Sequence, residues 1–119
     1  MDITPLVPKE RLAITGYGGG EFSLNGAKTS GSIFLQGPNV SAWDEGIDYA
    51  SLEPFLNGLT IDLLLIGCGA NPIPLLPELR AQLKARGIAV EMMDTGAACR
   101  TYNVLMSEDR RVAAALVAV

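Results

Sequence analysis

Histidine is absent from the chain, and cysteine occurs only twice, as Cys68 and Cys99. Without an imidazole, neither a Cys-His pair nor a Ser-His-Asp arrangement can form. The two cysteines are too far apart for Cys-x-x-Cys, so no metal site is expected from them. No G-x-S-x-G elbow occurs, which leaves only a Ser-Lys arrangement. Lys28 beside Ser30 and Ser32 is a poor one, because alternating strand residues next to a turn face solvent. Positive charge is scarce as well: 9 Lys and Arg stand against 13 Asp and Glu, for a net charge of −4. The basic residues are scattered, with Arg110-Arg111 the one adjacent pair, so the stripe of a nucleic-acid binder is missing. Long apolar runs are missing too. The longest, Val112 to Val119, falls well short of the roughly 20 residues of a membrane-spanning helix. Met1-Asp2-Ile3-Thr4-Pro5 has neither the basic nor the apolar region of a secretory signal. Together with the isolated cysteines, this places the expected compartment in the reducing cytoplasm.

What is present is a globular composition, with 49% apolar and 18% charged residues. The length fits one domain. Residues 1–10, with Pro5 and Pro8, read as a flexible N-terminal tail, and 11–119 as a single α/β domain. Arg11 to Thr15 reads as a strand broken by Gly16-Tyr17-Gly18-Gly19-Gly20. Phe22 and Leu24 alternate with polar neighbours before Asn25-Gly26, a strong hairpin signal. Lys28 to Ser30 begins the return strand, Ser32 to Gln36 continues the β-rich stretch, and Gly37-Pro38 ends it. Residues 38–50 read as a loop holding Trp43 and the acidic Asp44, Glu45 and Asp48, with solvation of that loop favoured over cation binding. Ser51 is a candidate N-cap for a short helix, Leu52 to Leu56.

The second half reads as α/β. Ile61 to Ile66 is a nearly continuous apolar run, as in a strand buried on both faces. Pro77 to Arg86 is an amphipathic helix closed by Gly87, and Ile88 to Met92 is the next strand. This βαβ unit predicts parallel strands. Thr95 is a candidate N-cap for a third helix, Gly96 to Met106. For Arg111 to Val119 a strand is favoured over a helix, because the segment is short and rich in valine.

Gly67-Cys68-Gly69 follows a strand, but Pro72 stands where a dinucleotide fingerprint needs its third glycine. Proline has no N–H to offer a phosphate. No nucleotide cofactor is therefore expected. If the strands ending at Ile66 and Met92 are neighbours, the loops 67–71 and 93–97 meet on one rim. That rim would gather Gly67, Cys68, Gly69, Asn71, Asp94 and Thr95, with Arg100 and Asn103 on the helix behind. A helix start facing the rim favours a negative group. The plainer alternative pairs Glu91 or Asp94 with Arg100 to pin the helix.

Several of these segments together carry a resemblance. Gly67-Cys68-Gly69 after an apolar strand is followed by Val90-Glu91-Met92-Met93-Asp94-Thr95, Ala98, Arg100 to Leu105 and Arg111 to Leu116. With Ile14, Tyr17, Asn25-Gly26, Pro38 and Trp43, this pattern over about 11–119 resembles the small domain-of-unknown-function α/β family that includes mitochondrial NADH dehydrogenase (complex I) assembly factor 3. The resemblance implies a three-layer α/β/α-type domain with a central mixed sheet and an added N-terminal β-hairpin. It also implies a non-catalytic module that binds partner proteins during respiratory-complex assembly, peripheral to the inner membrane through a partner. It supplies no catalytic residues, only a patch of Gly67, Gly69, Thr95, Arg100 and Asn103. The alternative is a small-molecule or anion-binding protein, or a weak enzyme, at the 67–71/93–97 rim. Self-association into a homo-oligomer is compatible with either.

Overall fold

The computed structural model describes residues 11–119; the expected tail, 1–10, lies outside them. Chain order is β1 (Ile14–Gly18), β2 (Glu21–Leu24), β3 (Ala27–Ser30), β4 (Ile33–Gln36), β5 (Asn39–Ala42), α1 (Tyr49–Leu56), β6 (Leu63–Gly67), α2 (Pro77–Lys84), β7 (Ala89–Met93), α3 (Thr95–Ser107) and β8 (Val112–Leu116). The first three strands form an antiparallel sheet in the order β1-β2-β3. The other five form a mixed sheet in the order β5-β4-β8-β6-β7, in which β6 runs parallel to both β7 and β8. The fold is thus α/β, with a three-stranded antiparallel sheet where the resemblance implied a hairpin.

Side-chain alternation divides the core into two layers. Phe34, Leu64, Ile66, Ala113 and Ala115 point to one face of the mixed sheet, where Leu52 and Leu56 of α1 and Leu79 and Leu83 of α2 cover them. Ile33, Leu35, Leu65, Ala114 and Leu116 point to the other, where Ala98, Cys99, Tyr102 and Met106 of α3 meet Phe22 and Leu24 of the small sheet. The last element is a strand, as favoured, and every residue of it is buried. Its three consecutive alanines suit a strand covered on both faces.

Four boundaries differ from the sequence expectation. The glycine run does not break the first strand: β1 extends to Gly18, and Gly19 and Gly20 (φ 62° and 79°) make the turn that pairs Gly18 with Glu21. Two positive-φ residues suit the twist of a hairpin. Residues 39–42, read as loop, form the edge strand β5; all four are exposed, so the short alternation of Val40 and Ala42 marks no core face. α1 starts at Tyr49 because Asp48, not Ser51, caps it, its carboxylate accepting the Ser51 N–H at 2.8 Å. Pro54 therefore lies beyond the first turn. Asp94 likewise caps α3 in place of Thr95, accepting the Ala97 N–H at 2.9 Å. Trp43 is buried, so it packs in the core.

α3 carries the small sheet through Asn103. Its side-chain oxygen accepts the Ile14 N–H at 2.9 Å, and its amide donates to the Ile14 carbonyl at 2.7 Å. One side chain thus satisfies both backbone groups of an edge-strand residue. On the same helix, burial pushes the Cys99 thiol up to about 11, with Arg100 pulling it down and Asp94 adding a smaller upward push. Burial pushes the Tyr102 hydroxyl up to about 12 against the pull of the Gly37 backbone and Arg11.

Both groups are neutral when protonated, so the native state holds their protons longer than the unfolded chain does. Their contribution is complete below pH 9, the ordinary thiol value, and is lost as pH rises from there through about 11 for Cys99. A shift of that size corresponds to about 2–3 kcal/mol. Urea unfolding at a series of pH values is expected to show falling stability above pH 9, with a shallower slope in Cys99→Ala. A stability that is flat to pH 11 in the wild type contradicts this burial.

Candidate functional site

The carboxyl ends of β6 and β7 lie side by side, with Gly67 paired to Met93. The two loops meet there through a closed set of hydrogen bonds. The Cys68 N–H donates to the Met93 carbonyl at 2.9 Å, and the Thr95 N–H to the Gly69 carbonyl at 2.9 Å. The Gly69 N–H donates to the Thr95 hydroxyl at 3.0 Å, and that hydroxyl donates to the Val117 carbonyl at 2.7 Å. The Val117 N–H returns to the Gly67 carbonyl at 2.8 Å. Thr95 is fully buried, and one hydroxyl thereby joins β6, β8 and the start of α3.

The paired glycines have separate reasons. At Gly67 a Cβ would stand 3.0 Å from both the Thr95 Cα and a Leu116 methyl, and 3.1 Å from the Ala98 Cβ. Gly67 is where α3 presses against the sheet. Gly69 has φ 105°, a conformation that side chains rarely adopt. Cys68 between them is half-buried. Its thiol lies 3.2 Å from the Met93 carbonyl and 3.5 Å from that of Asn71, and one S–H can serve only one at a time.

Of the eight residues singled out from the sequence, Gly67, Gly69 and Thr95 are buried in this join and present no side chain outward. Asn71 and Arg100 are exposed; Cys68, Asp94 and Asn103 are partly buried. Asn103 faces β1, not the rim. Arg100 pairs with neither Glu91 nor Asp94: its guanidinium donates to the Tyr17 hydroxyl at 3.3 Å. Gly96 makes that contact feasible, since a Cβ there would lie 2.6 Å from the Tyr17 oxygen. The start of α3 already holds a carboxylate, that of Asp94, at the place where the sequence suggested a small anion. The sequence reading missed Tyr17, which is 45% exposed beside Arg100, and the apolar loop residues Ile73 and Leu76, which are 49% and 61% exposed. The signal for the loop was Pro72 and Pro74, which prevent the chain after Gly69 from entering a helix at once. Among the described residues, no group of three or more Cys, Asp and Glu is placed to hold a metal ion.

The join makes a specific demand on residue 95. Thr95→Val keeps the shape and removes the hydroxyl, leaving the buried Gly69 N–H without its acceptor. The expected cost is about 1–3 kcal/mol. Thr95→Ser keeps the hydroxyl and loses a methyl, for about 1 kcal/mol. Chemical denaturation of the two variants tests the ranking, and equal stabilities contradict it.

Comparison with known proteins places this architecture. The model of the family described as protein of unknown function (DUF498/DUF598) matches residues 14–117. An uncharacterized protein of Rhodobacter capsulatus is 41% identical over 106 residues, covering 89% of this chain and 84% of that one. NADH dehydrogenase [ubiquinone] 1 alpha subcomplex assembly factor 3 of Danio rerio is 41% identical over 101 residues, covering 81% of this chain. The match spans 58% of that longer protein. A crystal structure of a Bordetella parapertussis protein superposes with a TM-score of 0.84 at 35% identity, covering 94% of this chain and all of that one. The chain belongs to the DUF498/DUF598 family, which includes the complex I assembly factor 3 homologues.

Proposed function

We propose that this protein is a non-catalytic docking module that holds partner proteins during assembly of a respiratory or membrane-protein complex. The observation that carries this reading is the 41% identity to the Danio rerio assembly factor over 81% of this chain. Within the described residues, no helix is long and apolar enough to cross a membrane. In this reading, contact with the inner membrane runs through a partner.

The surface offered is the exposed half of the rim. Arg100 and Tyr17 form its polar side, with Asn71, Ile73 and Leu76 on the loop after β6. Arginine and tyrosine are residue types that anchor interfaces, and Arg100 has no carboxylate partner among the described residues. The partner group expected against it is an acidic side chain beside an apolar one. The buried join beneath holds the loops still, which lowers the ordering cost of association.

Affinity capture from cells that carry both this protein and NADH dehydrogenase tests the reading. The wild type is expected to recover NADH dehydrogenase subunits, and Arg100→Glu about tenfold less of them. Recovery of none of those subunits by the wild type contradicts the function, and equal recovery by the variant contradicts the surface.

A further inference from the structure

The mixed sheet ends at β7, which has a neighbour only on its β6 side among the described residues. The Ala89 N–H donates to the Asp62 carbonyl at 2.9 Å, and the Met93 carbonyl accepts from Cys68 at 2.9 Å. In a parallel ladder the backbone groups of alternate residues face the same way. Ala89, Glu91 and Met93 therefore turn their N–H and C=O groups toward β6, while those of Val90 and Met92 point outward. β7 carries no proline and no register shift, two of the devices that blunt such an edge, and its one charge, Glu91, lies on the face opposite α2.

α2 overhangs this edge with a cationic face. Its opposite flank meets α1: Arg86, just beyond the helix, donates to the Tyr49 hydroxyl at 3.2 Å, and Glu78 and Gln82 share a groove with Tyr49 and Ala50. Arg80 and Lys84, one turn apart, lie on the outer flank. They line a cavity of about 430 Å³ with Ile88, Ala89, Val90 and Asp62, whose carboxylate is held by Arg111 at 2.9 Å. Neither is in an ion pair among the described residues. The open backbone groups of Val90 thus lie beside two positive charges that no carboxylate pairs among the described residues, Asp62 being engaged by Arg111.

We infer that β7 accepts an extended acidic segment of another protein as a sixth strand, its backbone pairing with Val90 and Met92 and a carboxylate lying between Arg80 and Lys84. Strand addition takes affinity from main-chain hydrogen bonds and selectivity from flanking side chains. A second copy of this chain fits less well. The two-fold register that uses both open residues sets Val90 opposite Met92 and puts Glu91 directly across from its own copy, and like charges so placed repel. The proposal rests on the docking reading above, and its test separates the two. Peptide binding at β7 without recovery of NADH dehydrogenase subunits keeps the edge and removes the assembly role, and the reverse result keeps the role and removes the edge.

The probes are two short capped peptides of alternating residues, one valine-glutamate and one valine-lysine, titrated into isotope-labelled full-length protein. The valine-glutamate peptide is expected to shift the amide signals of Ile88–Met92 and Arg80–Lys84 and to slow hydrogen exchange at Val90 and Met92. The valine-lysine peptide is expected to bind about tenfold more weakly or worse. Met92→Pro removes an outward N–H, a change tolerated at a strand edge. With the β6 amide signals unchanged, it is expected to weaken binding about tenfold. Arg80→Glu with Lys84→Glu is expected to reverse the preference between peptides. Unmoved β7 amides at millimolar valine-glutamate peptide, equal affinity for both peptides, or a peptide-free dimer with Val90 and Met92 already protected would each overturn the proposal.

Discussion

The close approach of α3 to the mixed sheet at Gly67 is the constraint on which the rest of the molecule depends. A backbone without Cβ lets the Thr95 Cα come within contact of the strand end. That proximity puts the Thr95 hydroxyl where it can accept from Gly69 and donate to Val117. A threonine one residue into a helix ordinarily serves solvent or the helix itself. Here Asp94 takes the capping work, and Thr95 is free to join three segments. The position of α3 then propagates. Its buried face closes one layer of the core, and Asn103 holds β1 and with it the antiparallel sheet.

This constraint shapes what the surface can do. The strand-end rim of a parallel sheet is the usual place for a ligand, yet in this chain its center is filled by protein groups that satisfy one another. Little polar capacity is left inward, and the side chains left exposed lie on the periphery: Arg100 with Tyr17, the proline-bearing loop, and the outer flank of α2 above β7. In the docking reading proposed above, these exposed groups meet extended or flat partner surfaces. That reading agrees with membership of a family that includes assembly factors.

Much of the fold was legible because its signals are local. Asn25-Gly26 has φ of 51° and 87° and makes the hairpin that its sequence announces. Ile61 to Ile66 shows the unbroken apolarity of a strand with covers on both faces, and Gly87 with φ 77° closes α2. Two of the differences arose where two residues compete for one helix cap. Asp48 and Ser51 can both cap, as can Asp94 and Thr95, and the tertiary contacts of Thr95 decide the second case. β5 was missed because it is only four residues long and exposed on both faces, too short for the alternation of Val40 and Ala42 to stand out. The adjacency of loops 67–71 and 93–97 followed from the βαβ reading. The burial of Thr95, and the turn of Asn103 toward Ile14, did not, since both depend on contacts many residues apart in the chain.

Native-state hydrogen exchange at the Gly69 amide tests the central claim most directly, because its acceptor is the buried Thr95 hydroxyl. If the join at Gly67 and Thr95 organises the domain, this amide opens only with the whole fold, and its protection equals that of the slowest amides in β6 and β8. Exchange of Gly69 through a local opening far easier than global unfolding, while those strands stay protected, would contradict the account.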